Sequence, residues 1–437
     1  MGAAILVLPL VIRLLPPAEL GLWYVFLSVG FLVTLLDAGF GPTATRMISY
    51  LWAGASTLSP AGVATPPADS AKTNYPLMAD LLATMRWYYR SASVAVALLL
   101  AGPGGVWIWQ KTATLSNAAS IRGAWVFFCL GTAINMAGAI WPAGLIGING
   151  VRQSQQILAS ALLANYVVVV AGLLVGWGLW AMVAGQIAQG LLIRMLGKMA
   201  FISHVGPELI HHQGHRTPAL IKTLWPMSWR TAAIGLGAYM ILQANTLICS
   251  NYLSLSQTAS YGLTLQLVTA LSGVSAIWVS VKAPLLNGLR VSGDTAQMAQ
   301  IFVSRLRLTV ATYVLGAVIL YAAGPALVKV IGSKTHLLPH PQLLMLLLFI
   351  FLEMHHSQFA GLVLSENKNP FVVPALASGV AVVAVSLALT PRLGVWGMLV
   401  AFGGVQLAFN NWWTVLRGIR GLDISPRRFV QMFLGFI

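Results

Sequence analysis

Two carboxylates, Asp37 and Glu353, lie inside apolar runs, where an acid costs about 2.5–3.5 kcal/mol at the bilayer centre and must face protein or water. Asp37 sits in LLDAGFGPTATRM, residues 35–47. Two roles stay open for it: holding a proton or ion in a cavity, or pairing with a basic residue on a neighbouring helix. Arg46 is not its partner along a straight helix, because nine residues carry it ~13 Å up the axis and onto the opposite face. Glu353 opens a second constellation, FLEMHHSQF at 351–359. Helical spacing brings Glu353, His356 and Ser357 within about 100° of one another and turns His355 elsewhere. A Glu–His pair can take up and release a proton near neutral pH; the plainer reading is an interhelical hydrogen bond. The order is not H-E-x-x-H, so a zinc-protease reading fails.

Long helices must position these groups. The chain is 58% hydrophobic and 8% charged, against roughly 25% charged in soluble domains, so lipid is its main solvent. Hydropathy places about twelve spans, each near the ~20 apolar residues a bilayer requires: 1–15, 20–50, 91–109, 124–148, 157–179, 181–202, 225–251, 259–285, 308–331, 343–364, 371–389 and 394–415. The start, MGAAILVLPLVIRLL, lacks the basic region of a signal peptide and reads as the first, short span. In the second span, Pro42 lacks an N–H and its ring clashes with the carbonyl of Ala38, which predicts a kinked helix. Gly39 and Gly41 remove side chains that would resist the bend. Gly105, Pro142 and Pro284 are expected to kink other spans.

The formal charge is +16, from 25 Lys/Arg against 9 Asp/Glu. With the N-terminus cytoplasmic, 19 of the 25 basic residues fall on the cytoplasmic side and 6 on the other, the bias of the positive-inside rule. Both termini are then cytoplasmic and an odd error in span number would scramble the split. The basic residues are scattered between apolar runs, so nucleic acid is not an expected partner; membrane lipids are. Cys129 and Cys249 lie in apolar runs, giving no disulfide framework and no metal spacing, and no cofactor is implied. Two cytoplasmic segments stand out: the small-residue and proline-rich stretch 53–76, which reads as mobile, and 204–224, whose HHQGH reads as a solvated loop. The expected organisation is a six-helix lobe over 1–203, a linker over 204–224, and a second six-helix lobe with a basic tail over 225–437. Trp412 and Trp413 read as interfacial anchors.

The run LPPAELGLWYVFLSVGFLVTLLDAGFGPTATRMISY, residues 15–50, resembles the first loop and second helix of the polysaccharide transporters. These are the O-antigen-flippase-like members of the multidrug, oligosaccharidyl-lipid and polysaccharide exporter (MOP) superfamily. The stretch 242–294, from LQANTLICSNY to LRVSGD, is similar to the family's outward turn between helices seven and eight and the G-D pair that follows. LVLSENKNPF, 362–371, resembles its tight turn after helix ten. The resemblance implies an all-α membrane protein of about twelve helices in two six-helix bundles around a central cavity. It further implies flipping of polyprenyl-diphosphate-linked oligosaccharide across the bacterial cytoplasmic membrane for surface polysaccharide synthesis, alongside polymerase or ligase machinery. Where relatives often carry an acid in the seventh helix, this chain has Gln243, Ala244 and Asn245.

For a diphosphate-bearing substrate, cationic and polar cavity candidates are Asp37, Arg46, Arg194, Arg230, Asn245, Gln266 and Lys282, with Gln189 as a further polar residue. Asp37, Glu353 and His356 are the candidates for proton or ion coupling. Export of drugs or small molecules predicts a more acidic, aromatic cavity. A membrane glycosyltransferase or polymerase predicts a sizeable outer loop, and none of the predicted outer loops exceeds roughly 15 residues.

Overall fold

The computed structural model describes residues 2–37, 39–59, 73–366 and 370–436. The centre of the stretch expected to be mobile, 60–72 with Lys72, and residues 367–369 with Lys368 lie outside the described residues. The described chain is helical throughout: α1 Gly2–Leu14, α2 Pro17–Leu36, α3 Phe40–Trp52, α4 Tyr75–Leu99, α5 Gly105–Lys111, α6 Ala118–Gly138, α7 Ile140–Gly147, α8 Val151–Leu174, α9 Leu179–Val205 and α10 Pro207–His211. There follow α11 Pro218–Leu242, α12 Ala244–Tyr252, α13 Leu255–Ser280, α14 Ala283–Ser292, α15 Thr295–Val330, α16 His340–Leu364, α17 Val372–Leu393, α18 Val395–Ala408, α19 Asn410–Arg420 and α20 Pro426–Leu434. Among the described residues nine helices are long and apolar enough to cross a membrane. Each of the twelve expected spans falls on a helix or a pair of helices broken in the middle.

The breaks correct the expected kinks. Pro42, Pro142 and Pro284 all lie in the first turn of a new helix, in α3, α7 and α14. A residue without an N–H is tolerated there, because first-turn N–H groups have no helical acceptor. At the first break the chain turns through Gly39 at φ +69°, a conformation that glycine adopts without steric cost. Two helices also start well before their apolar stretches. α4 begins at Tyr75, capped by the Asn74 carboxamide accepting the Leu77 N–H at 3.2 Å, and α15 begins at Thr295, capped by Asp294 accepting from Gln297 at 2.9 Å. The G-D pair is thus a helix stop and a helix start: Gly293 at φ +77° ends α14 and Asp294 opens α15.

The chain forms two compact units, 26–236 and 1–25 with 237–437. In the 26–236 unit, α6 and α9 run in parallel at close range. Cβ atoms added at Gly123, Gly131 and Gly138 would meet Trp180, Ile187 and Arg194, each within 3.2 Å. Small residues at this spacing let two membrane helices approach and gain dispersion contacts that lipid cannot replace. α4 and α5 are joined by a π-turn over Leu100–Gly104 containing Pro103, and the Trp125 indole donates to the Leu100 carbonyl at 3.2 Å. After α10 the chain is pinned along α4: His215 N–H donates to Asp80 at 2.7 Å, Thr217 N–H to Thr84 at 3.0 Å, and the Arg216 guanidinium lies 3.5 Å from the Trp87 ring centre. His211, His212 and His215 are exposed.

In the other unit, α13 opens with a reciprocal capping box between Ser254 and Gln257 after the short turn at Leu253. Its Gly262 lies against the Tyr24 ring of α2. Tyr261, Val268, Tyr313, Leu346, Ile350 and Phe402 belong to one buried cluster. Met298, Phe302, Leu306, Phe359, Ile419 and Phe429 belong to a second. Arg290 ties three helix ends together, donating to Ser365 Oγ at 3.2 Å and to the carbonyls of Gly421 at 2.5 Å and Leu362 at 3.3 Å, with Glu366 at 4.0 Å.

Candidate functional site

The break after α2 creates the most chemically complete site of the 26–236 unit. Because the chain leaves the helix at Asp37, that carboxylate is freed to act on the next helix. It accepts the Gly41 N–H at 3.2 Å, one of the donors the first turn of α3 leaves without a helical partner. The negative charge also stands at the positive end of the α3 dipole. Its other oxygen accepts the Tyr89 hydroxyl of α4 at 2.5 Å. Beside it the Tyr88 hydroxyl donates to the Leu36 carbonyl at 2.8 Å, closing one of the acceptors left open at the end of α2.

Asp37, Gly41 and Tyr89 line a cavity of about 470 Å³ whose remaining wall comes from α2, α6 and α9, within the range of pockets that hold small organic molecules. Most of the wall is apolar, with Leu27, Phe31, Val33, Phe128 and Met136. Further polar groups come from α6 and α9. Gln186 Nε2 donates to Thr132 Oγ1 at 3.1 Å, while Asn135 Nδ2 donates to the Gly131 carbonyl at 3.0 Å and the Gln186 carbonyl at 3.3 Å. Gln186 Oε1 is buried without a hydrogen-bond partner among the described residues. The cavity therefore offers one carboxylate and several neutral oxygens, with no basic side chain among the described residues that line it. Such a set can hold a proton or a small cation; it offers no nucleophile with an adjacent base.

The other residues singled out from the sequence in this unit stand apart from that cavity. Arg46 is partly buried on α3, and Arg194 is exposed on α9 with its Cβ against Gly138. Gln189 accepts from Asn165 Nδ2 at 3.1 Å, between α9 and α8. Arg230 is exposed on α11 beside Trp229.

In the 1–25 and 237–437 unit, Asn245 is buried on α12 and its Oδ1 lacks a partner among the described residues. Gln266 accepts the Tyr24 hydroxyl at 2.6 Å. Lys282 is partly buried at the break between α13 and α14. Glu353 and His356 do meet: Oε1 lies 3.7 Å from Nε2, and His356 Nδ1 lies 3.2 Å from the Leu352 carbonyl. The second Glu353 oxygen is buried without a hydrogen-bond partner among the described residues. His355 points away from the pair, its ring packed near Phe351 and Phe359. Among the described residues there is no group of three or more His, Cys, Asp or Glu able to hold a metal.

Sequence reasoning found Asp37 but missed Tyr89, Thr132, Asn135 and Gln186. The signal available was weak: a pair of neutral polar residues three apart in an apolar run, Thr132 and Asn135 in TAINMAG and Gln186 and Gln189 in AGQIAQG.

No protein-family model matches the sequence, and no curated protein does. Solved structures do match in shape. An inward-facing multidrug resistance MATE family transporter of the MOP superfamily superposes with a TM-score of 0.67 at 11% identity, over 95% of this chain and 94% of the other. A MATE protein in complex with MaD3S gives 0.53 at 12% identity, over 95% and 91%. The lipid II flippase MurJ in an inward closed conformation gives 0.50 at 12% identity, over 92% and 90%. The chain shares the fold of these structures. The all-α membrane architecture expected from the sequence is the one observed, and the chain is multi-pass. The likeness at these identities concerns the fold alone.

Proposed function

We propose that this MOP-fold protein flips a polyprenyl-diphosphate-linked oligosaccharide across the cytoplasmic membrane by alternating access. The observation that carries the reading is charge: 25 basic side chains against 9 acidic ones, on a fold shared with the lipid II flippase MurJ. A diphosphate is a dianion or more, and moving it past hydrocarbon requires cationic groups that replace its water. Arg46, Arg194, Arg230 and Lys282 are the groups proposed to meet the diphosphate, by charge-assisted hydrogen bonds. Asn245 and Gln266 are proposed to meet sugar hydroxyls. The polyprenyl tail stays in lipid, so no covalent step is needed.

In this reading Asp37 and the Glu353–His356 pair couple the conformational cycle to a proton or ion. Each is a membrane-embedded acid whose charge changes on binding a cation, so its occupancy can bias one conformation over another. The lobes proposed to move are 1–203 and 225–437, with 204–224 as their connection.

A second reading, export of a small organic cation, is favoured by the cavity at Asp37. It is largely apolar, aromatic in part and carries one carboxylate, and the higher TM-score of 0.67 is to a multidrug resistance MATE family transporter. The two readings separate in cells that lack the gene. Flipping predicts lipid-linked glycan accumulating on the cytoplasmic leaflet and loss of surface polysaccharide, with drug sensitivity unchanged. Unchanged glycan on the outer leaflet together with raised drug sensitivity rejects flipping and favours export.

A further inference from the structure

We infer that α20, Pro426–Leu434, is an in-plane membrane helix that docks on anionic lipid headgroups. Its fixation is well defined. Ser425 Oγ accepts the Arg428 N–H at 3.2 Å to start it, and Gly435 at φ +85° ends it. The Arg307 guanidinium donates to the Met432 carbonyl in its last turn. Its inner face is anchored by Phe429, 7% exposed, whose ring lies 5.5 Å from that of Phe359. The helix is therefore a built part of its unit and presents one fixed face outward.

That outward face combines two chemistries that water alone does not suit. Arg427 and Arg428 are exposed at its start. Val430 and Leu434, one turn apart, are 52% and 61% exposed, and Phe436 just beyond is 77% exposed. Nine residues make a helix ~13 Å long, too short to cross a ~30 Å hydrocarbon core. The preceding helix fixes the level at which it starts. α19 exposes Trp412 and Leu416 on one face, at 51% and 37%, and carries exposed Arg420 one turn further along that face. An indole followed by an arginine along one face marks the headgroup zone at a span's end. α20 begins six residues after Arg420, so it emerges at that level.

The occupant that fits is the anionic surface of the bilayer. Arginines attract acidic lipid headgroups, and exposed Val, Leu and Phe side chains enter the boundary beneath them, as in interfacial amphipathic helices. The charged groups around the helix agree with that choice: Arg307, Arg420, Arg427 and Arg428 stand against one exposed acid, Asp423, in the preceding turn. A protein partner for the same face would need acidic side chains and would leave the membrane level empty.

The test uses the full chain in nanodiscs of phosphatidylcholine containing phosphatidylglycerol, with Val430→Cys or Leu434→Cys carrying a fluorophore. Cys129 and Cys249 are both buried, so the new thiol is the one labelled. Doxyl-labelled phosphatidylglycerol is expected to quench both positions more strongly than doxyl-labelled phosphatidylcholine at equal mole fraction. R427Q/R428Q is expected to remove that excess, with the lipid preference falling roughly five-fold per arginine and fading at high salt. A label quenched by aqueous iodide and untouched by either lipid overturns the inference. So does a label shielded from all three quenchers that cross-links to a second copy of the chain, which would make the face a protein interface.

Discussion

The two membrane-embedded acids of this protein are finished to different degrees. Asp37, in the 26–236 unit, stands at a helix break and holds two donors, the Tyr89 hydroxyl and the Gly41 N–H. It also lines a cavity. Glu353 lies inside the unbroken helix α16, has an imidazole nitrogen 3.7 Å from one oxygen, and keeps the other oxygen buried without a hydrogen-bond partner among the described residues. The first acid holds structure together as well as offering charge. The second costs the fold something and returns little to it, which is the physical profile of a group retained for what it binds.

This contrast is easiest to break at Asp37. Asp37→Ala removes an acceptor of two hydrogen bonds, each to a charged group and worth about 1.5–3 kcal/mol. It also strands the Tyr89 hydroxyl. Thermal unfolding of the purified protein is expected at a clearly lower temperature, with transport reduced more than ten-fold on the order of 1.4 kcal/mol or beyond. An unchanged melting profile would show that the carboxylate braces nothing. Tyr89→Phe isolates one of those bonds and should cost about 1.5–3 kcal/mol, read by the same melt, with the carboxylate left in place.

Glu353→Met sharpens the other side of the comparison. Replacing a buried, incompletely bonded carboxylate by an apolar chain of similar volume is expected to leave stability equal or raise it by about 1 kcal/mol, while transport driven by an ion gradient falls. A large drop in stability would mean that Glu353 is braced by the unit as Asp37 is. The smallest effect is expected at His356→Gln, which removes a titratable neighbour and retains a polar side chain. Stability should move by less than about 1 kcal/mol, and the pH dependence of transport should flatten only if the pair acts together.

Much of the architecture was legible because hydropathy reads it directly. The helical spans follow from runs of about 20 apolar residues. What hydropathy misreads are helix parts outside lipid. The polar stretches before 91 and 308 continue as helix back to Tyr75 and Thr295, and only the caps Asn74 and Asp294 announce those starts. The consequence of Pro42 was read in the wrong place. Its missing N–H predicted a bend at that residue, whereas Gly39 and the Asp37 carboxylate place the break before it and leave Pro42 in a first turn, where it costs nothing.

The site was legible only in part. Asp37 and the Glu353–His356 pair stand out because charge in an apolar run is rare. Tyr89, Asn135 and Gln186 did not, since each becomes a site residue only through packing. Asn135 meets α9 because Gly190 has no side chain; a Cβ there would lie 2.9 Å from its amide. That pairing depends on which faces of α6 and α9 meet, which no single helix records.

The most direct test of the proposed transport is reconstitution of the purified chain in proteoliposomes carrying a fluorescent polyprenyl-diphosphate oligosaccharide. A glycosidase added outside reports which leaflet holds the sugar. The account predicts that substrate initially protected on the inner leaflet becomes accessible in a time-dependent way that requires the protein and is slowed by Asp37→Ala. Folded protein that leaves the protected fraction constant, while transporting an organic cation in the same vesicles, would contradict it.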